Sequence, residues 1–133
     1  MERADAYLRE HGVQLLRDSF AVLGDAFALV GREDVSSHIF TGKPRAELTE
    51  LLSRMPKGLP IVLLDHQPSS ILETAKDGRV ALQLSGHTHH GQLWPFSWVT
   101  RLVYEISWGG RKIGNTEFYV SSGWGTWGPP VRT

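Results

Sequence analysis

Six histidines and no cysteine bound the metal chemistry open to this chain of 133 residues. Without thiolates, an ion must be held by His, Asp, Glu or Asn, which suits hard or borderline divalent cations better than soft ones. Three of the histidines have the placing for it. His66 follows the apolar run Ile61-Val62-Leu63-Leu64 and Asp65, and His87 and His89 stand in Gly86-His87-Thr88-His89-His90-Gly91, just after the apolar stretch 80–85. The flanking glycines let the backbone turn tightly and approach an ion closely. His11, beside Gly12, reads as a helix-end residue, His38 as a solvated loop residue, and spacing alone gives His90 no role. A His-x-His pair on a β-barrel dioxygenase would want strands on both sides and a following Glu, and Gln92-Leu93-Trp94-Pro95 supplies neither.

The elements that must position these residues are legible from pattern. The run 61–64 has no polar alternation, as expected of a strand covered on both faces. Ser70 and Glu73 have capping-box spacing, so a helix is expected to begin there and stop at Gly78. A second strand is expected over Val80 to Ser85. Strand, helix, strand in this length is a βαβ unit, whose strands are parallel and end on the same side. If neighbours, those ends lie roughly 5 Å apart, or twice that with one strand between. His66 then leaves one strand end while His87 and His89 leave the other, at the sheet edge where ligands of open α/β folds usually bind.

Elsewhere the pattern predicts a short helix from Ala4 to His11, strands at Val13–Leu16, Phe20–Leu23 and Phe27–Val30, and a Gly24-Asp25 turn. A loop is expected from Gly31 to Lys43. Pro44 is expected to open a helix carrying Leu48, Leu51, Leu52 and Met55 on one stripe. A helix from Ser97 to Ile106 and hairpin strands around Lys112 and at Phe118–Ser121 complete the reading, with no internal repeat or linker. The length suits one domain or a piece of one. Acidic and basic residues balance at 14 each, so nothing in the charge calls for nucleic acid. No stretch is long enough to span a bilayer, and no signal peptide opens the chain.

Leu84-Ser85-Gly86-His87-Thr88-His89-His90-Gly91-Gln92 resembles the Gly-His-x-His signature of calcineurin-like metallophosphoesterases. Leu63-Leu64-Asp65-His66-Gln67-Pro68 resembles the His-x-Pro motif that precedes it in that family. The tail from Val120 to Arg132, with Gly123-Trp124-Gly125-Thr126-Trp127-Gly128, is similar to a bacterial, often membrane-associated branch. The resemblance covers nearly the whole chain as one domain, 1–133. It implies the C-terminal half of a four-layer α/β/β/α sandwich with mixed sheets, truncated at both ends. It implies a hydrolase of phosphate mono- or diesters, with two divalent ions (Mn, Zn, Fe or Mg) that clamp the phosphoryl oxygens and supply a hydroxide nucleophile. His66 and His87 would ligate one ion and His89 the other. The family commonly has glycine at the place of His90, which would line the pocket or fold outward. Gly123, Trp124 and Arg132 are further substrate-side candidates, Arg132 as a bidentate phosphate partner.

Three family motifs that precede these, Asp-x-His, Gly-Asp-x-x-Asp and Gly-Asn-His-Glu, do not occur here. They supply the bridging Asp, the remaining ligands and a catalytic His. Gly24-Asp25 has Ala28 where a second Asp should fall, and Gly114-Asn115-Thr116-Glu117 has Thr for His and comes in the wrong order. Both read as turns. The chain thus reads as an internal fragment whose missing N-terminal half is its first partner, and as inactive alone. Its substrate would be a small or lipid-like phosphate ester, and its location the bacterial cytoplasm or membrane periphery. Two other readings stay open: a non-catalytic metal-binding fragment, and a membrane-interface module. For the latter, Leu93, Trp94, Phe96, Trp98 and Val99 crowd directly after the His loop, either as a small core over the sheet or as an interface. Asp65 neighbours His66 but should point to the opposite face of its strand, a weak candidate for orienting the ring.

Overall fold

The computed structural model describes residues 2–128 and 130–131. The elements are α1 (Glu2–Glu10), β1 (Ser19–Leu23), β2 (Phe27–Gly31), α2 (Ser37–Thr41), α3 (Leu48–Ser53), β3 (Ile61–Leu64), α4 (Ile71–Asp77), β4 (Val80–Ser85), α5 (Phe96–Val103), β5 (Gly109–Ile113) and β6 (Thr116–Val120). Short 3₁₀ turns occupy Pro68–Ser70 and His89–Gly91. The strands form one mixed sheet in the order β1-β2-β3-β4-β6-β5. The central strands β2, β3, β4 and β6 run parallel, and β1 and β5 flank them antiparallel. The protein is therefore α/β with a mixed sheet, as the resemblance implies for one half of the sandwich.

Strand alternation sorts the sheet into two unlike faces. One face carries Ala28, Val30, Ile61, Leu63 and Val80, buried under Leu48, Leu51, Leu52 and Met55 from α3 and the turn after it. Beside it Ile71 of α4 packs with Ile106, Phe118 and Val120. The other face carries Leu64, Leu84 and Tyr119 in register across β3, β4 and β6, and these remain more than a third exposed. Residues 14–16 cross one end of this open face. They come so near β2 that a Cβ on Gly31 would sit 2.4 Å from the Leu16 carbonyl oxygen, so glycine is required there.

Several expectations are corrected. Val13–Leu16 is irregular and not a strand, because among the described residues no strand lies beside it to pair with. The 31–43 loop contains α2, closed by Gly42 in the left-handed region. Pro44 does not open α3, which starts four residues later behind Glu47, since Arg45 and Ala46 are drawn into side-chain contacts of their own. Ser70 does precede α4, but its side chain makes no cap bond, and its hydroxyl instead accepts from Arg45 Nη2 at 2.6 Å. Helix α5 ends at Val103, short of the Ile106 expected. Gly24-Asp25 and Gly114-Asn115 are hairpin turns, as their sequence suggested.

Candidate metal centre

Parallel pairing brings the ends of β2, β3, β4 and β6 to one sheet edge, and backbone bonds carry the ladder past them. Arg32 N–H donates to Leu64 O (3.0 Å), Asp65 N–H to Leu84 O (3.1 Å), Gly86 N–H to His66 O (2.9 Å) and Ser121 N–H to Ser85 O (2.8 Å). The residues after each strand are thus fixed almost as firmly as the strands. Residues 66 and 86–92 hang from that scaffold.

His66, His87, Thr88, His89, Gly91, Gln92 and Trp127 line one cleft of about 430 Å³. The His66 and His87 rings meet edge to face with centroids 5.2 Å apart, and Tyr104 abuts His87 at 6.3 Å. The loop is held in an unusual backbone state: His87, His89, His90 and Gln92 all have positive φ. Each such residue costs about 1 kcal/mol or more, and strain of this kind persists only where the surroundings over-determine it. Three anchors do so here. Buried Thr88 donates its hydroxyl to Ser107 O at 2.7 Å. Gln92 Nε2 donates to Trp127 O at 2.8 Å, and Trp127 N–H returns a bond to Gln92 Oε1 at 2.5 Å. Gly91 lies against the start of α5 so closely that a Cβ would sit 2.3 Å from the Phe96 carbonyl carbon.

The electrostatics favour the neutral form of His87. Burial pushes the His87 pKa down, the neighbouring His66 and His89 add to that, and Asp34 opposes it. Burial alone would raise the Asp34 carboxyl, but hydrogen bonds from Ser36, the His66 charge and Gln67 outweigh it and hold the carboxyl below its usual range. Gln67 Nε2 reaches Asp34 Oδ1 at 3.1 Å. Asp65, by contrast, faces away from the cleft as strand alternation requires. It is enclosed by Arg45 Nη1 at 2.9 Å and Arg32 Nη1 at 3.4 Å. Burial pushes its carboxyl up, and the two guanidiniums pull it back. This network fixes the strand end from which His66 leaves.

The donor set fits a divalent ion in part. His89 Nδ1 is buried and without a hydrogen-bond partner, and a Cβ on Gly123 would come within 3.0 Å of the His89 ring, so glycine is what seats that ring. An orphaned ring nitrogen on a histidine that lines the same cleft as two more imidazoles fits part of a metal site. It is a partial fit: among the described residues no three His, Asp or Glu side chains are gathered closely enough to hold an ion.

The remaining candidates fall in different places. The His90 ring turns to Trp108, with centroids 5.0 Å apart, and lines no part of the cleft. Trp124 is fully exposed, and Trp127 is the tail tryptophan that borders the cleft. Arg132 lies outside the described residues. His11 Nδ1 binds Tyr7 O at 2.8 Å at the end of α1, and His38 Nδ1 binds Val35 O at 2.8 Å. Trp127 stood in the tail motif, whereas Asp34 and Tyr104 carried none. Of those two, Asp34 had a signal, its position just after a strand that turns out to be parallel to β3.

Comparison with known proteins bears on the family of the chain. A protein of Helicobacter pylori described as an uncharacterized metallophosphoesterase is 40% identical over 87 residues, covering 65% of this chain and 24% of its own length. One of Aquifex aeolicus with the same description is 30% identical over 128 residues, 95% of this chain and 48% of its own. A Danio rerio transmembrane protein with metallophosphoesterase domain is 28% identical over 134 residues, 94% of this chain and 31% of its own. The chain spans no more than about half the length of these relatives. No family model and no solved structure matches. With the Aquifex aeolicus relative matching across 95% of this chain and the Helicobacter pylori relative of the same description across 65%, the chain belongs to the metallophosphoesterase family.

Proposed function

We propose that this chain supplies the histidine side of a two-metal phosphoester hydrolase, in which His66 and His87 hold one divalent ion and His89 the other. The observation that carries the reading is the convergence of these three imidazoles on one cleft at the ends of parallel strands. Divalent ions bound there would neutralise charge on a phosphoryl group and acidify a water at neutral pH. The chain's own residues prepare for this. His87 is held neutral, with a lone pair free to ligate. Asp34, held low by Ser36, His66 and Gln67, keeps a carboxylate near the cleft through its bond from Gln67, the residue after His66. Gln92 and Trp127, bonded to each other, form one wall of the cleft.

Hydrolysis needs more than the cleft provides. A carboxylate bridging two cations and a general acid for the leaving oxygen are both required. The described cleft holds neither, and catalytic groups that act as a unit do not keep partial activity. The chain alone is therefore proposed to be inactive, and a longer protein that contains it active. The experiment assays p-nitrophenyl phosphate and bis-p-nitrophenyl phosphate with Mn²⁺, first with the chain and then with it joined to the N-terminal part of the Aquifex aeolicus relative. Turnover only in the joined protein, abolished by His87→Ala, is expected. Turnover by the chain alone would refute the ligand count, and silence from the joined protein would refute the hydrolase reading.

A further inference from the structure

All five tryptophans of the chain are exposed, although Trp is ordinarily among the more buried residues on average. Four of them stand on segments that touch the histidine loop. Trp94 and Trp98, with rings 6.4 Å apart, belong to α5 and its lead-in, and the start of that helix presses on Gly91. Trp127 is tied to Gln92, and Trp108 lies against the His90 ring.

Helix α5 itself is inside out. Phe96, Trp98, Val99, Leu102 and Val103 are exposed, Leu102 to 88%, while the polar Ser97 and Thr100 are the less exposed positions. No residue of the helix is buried, so among the described residues no small core forms over this aromatic stretch. An amphipathic helix turned this way needs an apolar medium on its outer face. Its charge says which medium. The segment 93–103 has no acidic residue and one cation, Arg101, which is exposed and in no ion pair among the described residues. Tryptophan pairs an apolar ring with an N–H, which suits the boundary between acyl chains and headgroups. A single positive charge beside an apolar, aromatic face complements an anionic lipid surface.

We propose that α5 and the surrounding tryptophans dock the protein on an anionic bilayer, with Trp94, Trp98 and Leu102 entering the headgroup boundary. The histidine cleft, joined to α5 through Gly91, then faces the phosphate esters of membrane lipids. The docking stands on its own, whereas the lipid-phosphate substrate rests on the hydrolase reading above.

The test mixes the purified protein with vesicles of phosphatidylcholine alone, or of phosphatidylcholine and phosphatidylglycerol in equal parts. Co-sedimentation and tryptophan emission are read. Binding to the anionic vesicles with a blue-shifted emission is expected. Leu102→Ser and Trp98→Ser should each lower partitioning by roughly tenfold, the effect of withdrawing one large apolar side chain. Arg101→Glu should weaken anionic binding by at least about fivefold. These residues are exposed, so the variants should fold, and circular dichroism checks that they do. A folded protein that ignores both vesicles overturns the docking. So does binding unaffected by the three variants, or a wild-type dimer that Leu102→Ser converts to monomer, which would show a second copy on this face. Vesicle binding without turnover of soluble esters by the joined protein supports the docking and overturns only the hydrolase reading.

Discussion

Replacing Asp65 by asparagine should destabilise the protein by about 3 kcal/mol, close to the low end for breaking a buried ion pair. The carboxylate is wholly buried and receives Arg45 Nη1 at 2.9 and 3.1 Å on its two oxygens. Arg32, only 3% exposed, adds a contact at 3.4 Å. Without the charge, Arg45 can still extend toward water, being 15% exposed. Arg32 cannot. Its Nε has no hydrogen-bond partner, and its other ion pair is a 3.5 Å contact to Glu73, which is 42% exposed. Asparagine keeps one acceptor oxygen, which holds the cost near the bottom of the range. Urea unfolding followed by circular dichroism reads it. With a slope of about 1–2 kcal/mol/M, the midpoint should fall by roughly 1.5–3 M. Asp65→Leu combined with Arg32→Met should recover much of the loss, because no uncompensated charge then remains in the interior. A cost under about 1 kcal/mol for Asp65→Asn would refute the account of what fixes the end of β3. So would a double variant less stable than the single one.

Two further outcomes follow from the same structure. Gly123→Ala places a methyl 3.0 Å from the His89 ring at a φ of +80°. It should cost about 1 kcal/mol of stability and weaken Zn²⁺ binding by roughly tenfold, read by thermal melting and calorimetric titration. The hydrogen bonds from Arg79 hold the Asp77 carboxyl low. The sign follows: that stabilisation is complete above the ordinary carboxylate pKa of about 4 and is lost as pH falls through the lower folded value. Urea midpoints measured from pH 5 downward should therefore fall less steeply in Asp77→Asn than in the wild type.

Much of the fold was legible where periodicity and chain order are decisive. The run 61–64, the helix stopping at Gly78 and the strand 80–85 gave the βαβ unit, and with it the shared edge for His66, His87 and His89. The strand at Phe27–Val30 was legible, but its parallel place beside β3 was not, because the crossover from Gly31 to Ile61 looked like a loop and then a helix, with no sign of where the strand would insert. Asp34 was hidden for the same reason: its bond from Gln67, beside His66, depends on β2 lying next to β3. Val13–Leu16 has strand-like residues but lacks a partner strand, so local preference had nothing to act on. The Trp94–Val99 stretch left core and surface equally open to pattern, since helical spacing reports a face and not what covers it. The left-handed run through His87, His89, His90 and Gln92 has no sequence signature beyond its glycines.

The central claim is that His66, His87 and His89 act together on divalent metal, and calorimetric titration of the chain with Zn²⁺ and Mn²⁺ tests it most directly. Saturable binding is predicted, weakened at least about tenfold by alanine at any one of the three and untouched by His11→Ala or His38→Ala. Because burial lowers the His87 pKa, binding should persist to somewhat lower pH than free imidazole allows and then be lost as the ring protonates. Affinity indifferent to all three substitutions, or to pH across that range, would contradict the account.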